Sequence, residues 1–272
     1  MEHNDLFNLN GKVIVITGGC GVLAGAMAKS LVASGAGVSL WGRGKSRPVA
    51  GAVEALARET GRKDLIHGVT VDAGDKAALE GALAQTVREF GEPEVLINGV
   101  GGNKSKSPFL DADLASFREI LDMNILGGLV LPTQVFASRW IEKKIRGSII
   151  NIASMASYLP LSGVWAYGAA KAGVMNLTAA CAKEFAPNGI RVNAIAPGFF
   201  IGNQNRRLLV ADDATGELTE RGKSVIAHTP FGRFGEASEL GGVTVFLASG
   251  RASGFITGVT IPVDGGYLVH NI

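Results

Sequence analysis

Three residues carry the first chemical signal in this chain: Ser154, Tyr167 and Lys171. Tyr167 and Lys171 are four apart, so on a helix they share one face. An ammonium beside a phenol favours the phenolate and predicts a Tyr167 pKa below the reference of about 10. A tyrosine of that kind passes a proton to or from a carbonyl or alcohol oxygen. Ser154 follows the apolar run 148–152, ahead of that helix, and its hydroxyl can serve the same oxygen. Far upstream, Thr17-Gly18-Gly19-Cys20-Gly21-Val22-Leu23-Ala24-Gly25 joins a strand to a helix. Glycines there let the backbone approach a pyrophosphate, while the helix N-terminus supplies free amides and partial positive charge. These are the parts for hydride chemistry with a bound dinucleotide.

The elements that must position these residues alternate along the chain. Strands are expected at 12–17, 38–41, 65–71, 94–98, 148–152, 191–195 and 259–263, with helices at 22–34, 49–60, 76–90 and 114–144. Pro132 inside the last of these predicts a kink or break. The alternation and the continuously apolar strands predict a single α/β domain. Its core is a doubly wound, Rossmann-type parallel sheet of about seven strands with helices on both faces. Ligands in such sheets bind beyond the carboxyl ends of the strands, and the motifs fall there: 18–21, 98–102, Ser154 and Pro197-Gly198.

Cofactor choice is read at the end of the second strand, where an acidic residue accepts the adenosine ribose. This chain has Gly42-Arg43-Gly44-Lys45 instead. Arg43 suits a 2′-phosphate, so NADP(H) is favoured, with NAD(H) acceptable if Arg43 and Lys45 are only a solvated loop.

Composition bounds the remainder. The 272 residues, 47% apolar and 18% charged, describe a globular chain. A net charge of +2 with scattered basic residues gives no footprint for nucleic acid. No membrane-spanning run and no basic-then-apolar leader pattern is expected, and Cys20 and Cys181 offer no disulfide framework, so a cytoplasmic setting is the default. The four histidines lack metal-ligand spacing, and no metal is expected.

The order and spacing of these motifs resemble the classical short-chain dehydrogenase/reductase family over nearly the whole chain. The resemblance implies that Ser154, Tyr167 and Lys171 are the catalytic trio and that Asn124 holds a water in the proton relay. It implies cofactor contacts from Gly18, Cys20, Gly21, Val22, Leu23 and Arg43, and from Asp72 and Ala73 beside the adenine. Asn98 and Gly99 stand beside the cofactor, Tyr167 and Lys171 meet it, and Pro197, Gly198 and Phe200 form the turn past the nicotinamide. Val22 and Ala24 stand where the family loop usually has glycine, which implies a slightly reshaped phosphate turn. The family commonly forms tetramers, so a homotetramer is expected.

Within the family, several segments resemble D-mannonate oxidoreductases, also called D-fructuronate reductases: 16–23, Leu131-Pro132-Thr133-Gln134-Val135-Phe136, 196–200, 218–222 and 227–230. They imply a sugar-acid substrate, met by a segment at about 199–230. Asn103, Gln204, Asn205, Arg206 and His228 are the expected polar contacts, joining Ser154 and Tyr167; Arg206 or Arg207 would hold the carboxylate bidentately. A reductase of 3-oxoacyl thioesters or of another sugar or polyol is the second enzyme reading. A nucleotide-sensing protein without turnover is the reading from another class.

Overall fold

The computed structural model describes residues 6–45, 47–202 and 206–270. Among them, seven parallel strands form one sheet in the order β3-β2-β1-β4-β5-β6-β7. The strands are β1 (Val13–Thr17), β2 (Gly37–Gly42), β3 (Ile66–Thr70), β4 (Pro93–Asn98), β5 (Ser148–Ile152), β6 (Arg191–Pro197) and β7 (Thr260–Val263). The strand order reverses between β1 and β4, which opens the crevice where ligands bind in such sheets.

Side chains alternate between the faces, as period-two strands require. Ile14 and Ile16 pack on one face while Val15 packs on the other; Ile97 and Leu96 divide in the same way. The first face is covered by α1 (Val22–Ala33), α2 (Val49–Thr60) and, late in the chain, α9 (Gly241–Ala248). The second is covered by α3 (Lys76–Glu89), α5 (Leu131–Lys143) and α6 (Trp165–Phe185). Each fully buried Ile or Leu contributes about 1.5–3 kcal/mol to this arrangement. The helix α4 (Leu114–Leu121) packs on α6. After β6 come the single turn α7 (Arg206–Leu209), α8 (Glu220–Ala227) and, beyond α9, the short α10 (Gly250–Ser253).

Two expectations are corrected here. Pro132 does not break its helix. The chain widens into a π-helical stretch, Asp122–Val130, that runs directly into α5, and Pro132 follows it as the second residue of α5. In addition, the continuous run Leu114–Lys143 is long and apolar enough to cross a membrane by length and composition, contrary to the expectation that no such run exists. More than half of its apolar window is buried inside the fold, as in a core helix.

Candidate active site

At the carboxyl end of β1 the chain must turn sharply. Gly18 adopts φ +65°, and a Cβ there would stand 2.7 Å from the carbonyl oxygen of Gly99. Only glycine fits that close approach of the two loops. Gly21 caps α1 with no side-chain bond and no acidic residue in the first turn, so the amides of Val22 and Leu23 stay available for an anion. Val22 is exposed at this edge, Leu23 packs its side chain on the core, and Cys20 lies half-buried against Gly42. Burial pushes the Cys20 thiol up, offset in part by the charge of Arg47. The Val22 and Ala24 departure is accommodated: Ala24 is buried, and Gly25 has open space where a Cβ would stand.

Arg43 follows β2 and is exposed to solvent, with its guanidinium 3.9 Å from the Asp72 carboxylate. Asp72 also accepts the Gly74 amide, and Ala73 is buried beneath it. Arg47, which the sequence reading did not select, adds a second cation at this end. The turn, the free amides and this charged rim fit a dinucleotide laid across β1 and β2. Gly198 lies against Asp264, at whose Cα a Gly198 Cβ would come within 2.6 Å, and its amide bonds to the Val263 carbonyl. This brings Pro197-Gly198 to the same end of the sheet.

Two of the expected cofactor residues turn their side chains into the fold. Asn98 is fully buried and turns its amide into the sheet interior, donating to Asn151 Oδ1 at 2.8 Å and Thr133 Oγ1 at 3.1 Å. Asn151 continues the chain to Thr178 Oγ1 at 2.9 Å. Asn98 therefore ties β4 to β5 and α5, while Gly99 beside it packs on β1. Phe200 is likewise buried in the core, with its ring against Gly235.

The catalytic trio is assembled where β5 meets α6. Ser154 is extended and caps a short turn, Met155–Ser157, by accepting the Ala156 amide. The Ser157 hydroxyl then donates to the carbonyl of Lys171 at 2.7 Å, fastening this turn to α6. Ser157 is a positioning residue that the sequence reading missed; a buried hydroxyl next to a catalytic serine was the available signal. The Ser154 hydroxyl lies near enough to the Tyr167 phenol to oppose the rise of its pKa, and the Lys171 ammonium stands 5.7 Å from the Tyr167 ring centre.

Lys171 is buried and donates to the Ile152 carbonyl at 2.7 Å. Loss of hydration pulls its pKa down to about 8. Burial pushes Tyr167 up, with the Ser154 bond opposing. The expected lowering of Tyr167 by the ammonium is thus reversed in this structure, because desolvation disfavours the charged form of both groups.

Asn124 lies in the π-helical stretch and is pinned by three bonds. It donates to the carbonyls of Gly102 and Ile120 and accepts the Gly102 amide. Gly127 and Gly128 allow this proximity: a Cβ on Gly128 would meet the Val100 oxygen at 2.7 Å. A Cβ on Gly101 would stand 2.6 Å from Asn124 Oδ1 and 3.2 Å from Lys171 Nζ. Both polar atoms therefore converge on the space above Gly101, as a proton relay requires.

Residues 21–268 match the family model described as enoyl-(acyl carrier protein) reductase, adh_short_C2. The chain belongs to the classical short-chain dehydrogenase/reductase family. Within this family it is an NAD(P)-dependent oxidoreductase. A 2-dehydro-3-deoxy-D-gluconate 5-dehydrogenase from Formosa agariphila is 33% identical over 97% of this chain and 95% of its own. A Haemophilus influenza structure with bound NAD, provisionally described as a D-mannonate oxidoreductase, superposes with TM-score 0.86 at 35% identity, covering 98% of this chain and 99% of that one. A gluconate 5-dehydrogenase from Burkholderia cenocepacia in complex with NADP and tartrate gives TM-score 0.85 at 28% identity over the full length of both chains.

The expected substrate contacts are placed unevenly. Gln204 and Asn205 lie outside the described residues. Arg206 is paired with Asp213 at 2.7 Å, Asn103 bonds within its own loop to the Ser105 carbonyl, and His228 bonds to the Ser224 carbonyl. The ring of His228 also lies 5.2 Å from that of His270. None of these three therefore offers a side chain free of local partners.

Proposed function

We propose that the protein reduces the keto group of a sugar acid, with D-fructuronate to D-mannonate as its reaction and NADPH as the preferred reductant. The observation that carries this reading is the assembled trio, Ser154 at the end of β5 beside Tyr167, with the buried Lys171 one turn further along α6. The nicotinamide supplies hydride to the carbonyl carbon. Tyr167, protonated at neutral pH as phenols are, donates its proton to the carbonyl oxygen, and Ser154 polarises that oxygen. Lys171 and Asn124 return the proton through the space above Gly101.

Relatives named for gluconate and deoxygluconate support a polar hydroxy-acid substrate over a thioester. Arg43 and Arg47 at the adenosine end support NADPH. A homotetramer is part of the proposal: Leu110, Leu114 and Leu126 are exposed near α4, and Phe255 and Val259 beside the edge strand β7. Light scattering tests it.

The decisive assay measures initial rates for D-fructuronate, 5-keto-D-gluconate and acetoacetyl thioester, each with NADPH and NADH. The highest kcat/KM should belong to D-fructuronate with NADPH. Protein that binds cofactor but reduces neither sugar acid, or prefers the thioester, contradicts the reading.

A further inference from the structure

The amino ends of the strands, opposite the catalytic end of the sheet, hold a cavity of about 770 Å³. The starts of β4, β5 and β6 line it, together with the turns that follow α5 and α6. At the rise of a strand, Ser148 in this cavity stands about 20 Å from Ser154 in the catalytic trio, so the two sites are separate. A volume of this size suits a small-molecule ligand. Lys12, Lys144, Arg146 and Arg191 line it against one carboxylate, Glu94, which Lys12 already holds. Three cations are left over at one place in a chain whose net charge is only +2. Among the described residues none of these three pairs with a carboxylate.

Two of the three are fixed in place. Arg191 donates to the Leu247 carbonyl at 2.8 Å and to Ser253 Oγ at 3.0 Å, which uses two of its five N–H groups. These neutral partners orient the guanidinium and supply no counter-ion, while burial pulls its pKa below the ordinary value. A desolvated cation in that state favours an anion beside it. Arg146 crosses the turn after α6: its Cγ, Cδ and Nε lie 3.0, 3.4 and 3.5 Å from where a Gly189 Cβ would stand. Lys144 gives an independent sign. Among the described residues it alone, glycines aside, has a positive φ, +56°, in the left-handed conformation that closes α5. Glycine takes that position without steric cost and lysine does not. Strain kept at such a place is a mark of function.

We infer that this cavity binds a small polyanion, a molecule with two or more phosphate or carboxylate groups. Arg191 and Arg146 serve as forked donors and Lys144 as a point charge. The site shares no residue with the catalytic trio or the phosphate turn and stands whether or not the substrate is a sugar acid.

Isothermal titration calorimetry at low ionic strength tests this with inorganic tripolyphosphate and with citrate. The protein holds one equivalent of NADPH, so that the phosphate turn is already filled. At least one anion should bind saturably at one site per chain, and the tighter of the two tells phosphate from carboxylate. Arg146→Gln and Lys144→Gly should each weaken that binding by about 10-fold or more, the scale of one charge-assisted bond. NADPH affinity should stay within a few-fold of wild type in both variants. Lys144→Gly should also unfold at no lower urea concentration than the wild type, because glycine relieves the positive φ. Weaker anion binding in a chain of undiminished stability sustains the site. Were Lys144 only a favourable charge at the carbonyl end of α5, Lys144→Gly would bind the anion as the wild type does. Such equal binding in the variants, or no saturable binding of either anion, overturns the inference.

Discussion

Lys171 gives its ammonium hydrogen bond to the backbone carbonyl of Ile152, 2.7 Å away at the end of the strand that leads to Ser154. The bond locks α6 to β5 at the catalytic step, and it holds a cation away from water. A pH dependence of stability follows. The folded pKa of about 8 lies below the 10.5 of the exposed side chain, so above pH 8 the unfolded chain binds the proton that the native state has released. Stability therefore rises with pH across this window.

Relative to Lys171→Met, the wild type should gain about 2–3 kcal/mol between pH 8 and pH 10, at about 1.4 kcal/mol per pKa unit. The raised tyrosines act in the opposite sense, but only above about pH 10. Urea unfolding of both proteins at fixed ionic strength measures the difference. A flat difference across the window would show that Lys171 is hydrated.

The space above Gly101 should tolerate nothing. A methyl group there meets an Asn124 oxygen that three hydrogen bonds prevent from moving. Gly101→Ala should cut kcat by about 10- to 100-fold, the scale of an ångström-sized misplacement. Steady-state kinetics with a cofactor titration checks this; loss confined to cofactor affinity would place the damage elsewhere.

Thr178 closes a buried chain that starts at Thr133 and runs through Asn98 and Asn151. Thr178→Val keeps the shape and leaves the Asn151 amide without an acceptor, at a cost of about 1–3 kcal/mol. Thr178→Ser should recover most of it. Chemical denaturation reads both, and a neutral Thr178→Val would mean the chain rearranges around the gap.

Arg43 sets the cofactor prediction. Arg43→Gln should lower kcat/KM for NADPH by about 10-fold or more while NADH changes little, since only NADPH carries the ribose 2′-phosphate that the guanidinium would pair. Equal effects on both would assign Arg43 to adenine stacking alone.

Much of this site was legible in the sequence because its logic is local. Tyr167 and Lys171 reveal themselves by a helical spacing, and Gly18 to Gly21 by their place between strand and helix. The parallel sheet with helices on both faces followed from alternation, whereas the strand order came from the fold. What escaped was set by tertiary contact. Asn98 on a buried strand faces one side or the other, and only its register opposite Asn151 shows which. Arg206 looks free in sequence, yet Asp213 folds back to it. Pro132 signalled a break, but the helix runs on through it, from the π-helical stretch into α5. Tyr167 went the other way from its expected shift because spacing shows the neighbouring charge and says nothing of burial.

The central claim is that Tyr167 is the proton donor of a reductase. Its most direct test is the initial rate of D-fructuronate reduction by Tyr167→Phe, with NADPH binding measured on the same protein. The account predicts turnover lower by at least about 100-fold, the reach of general acid catalysis, with cofactor affinity within a few-fold of wild type. Turnover near the wild-type rate would contradict it.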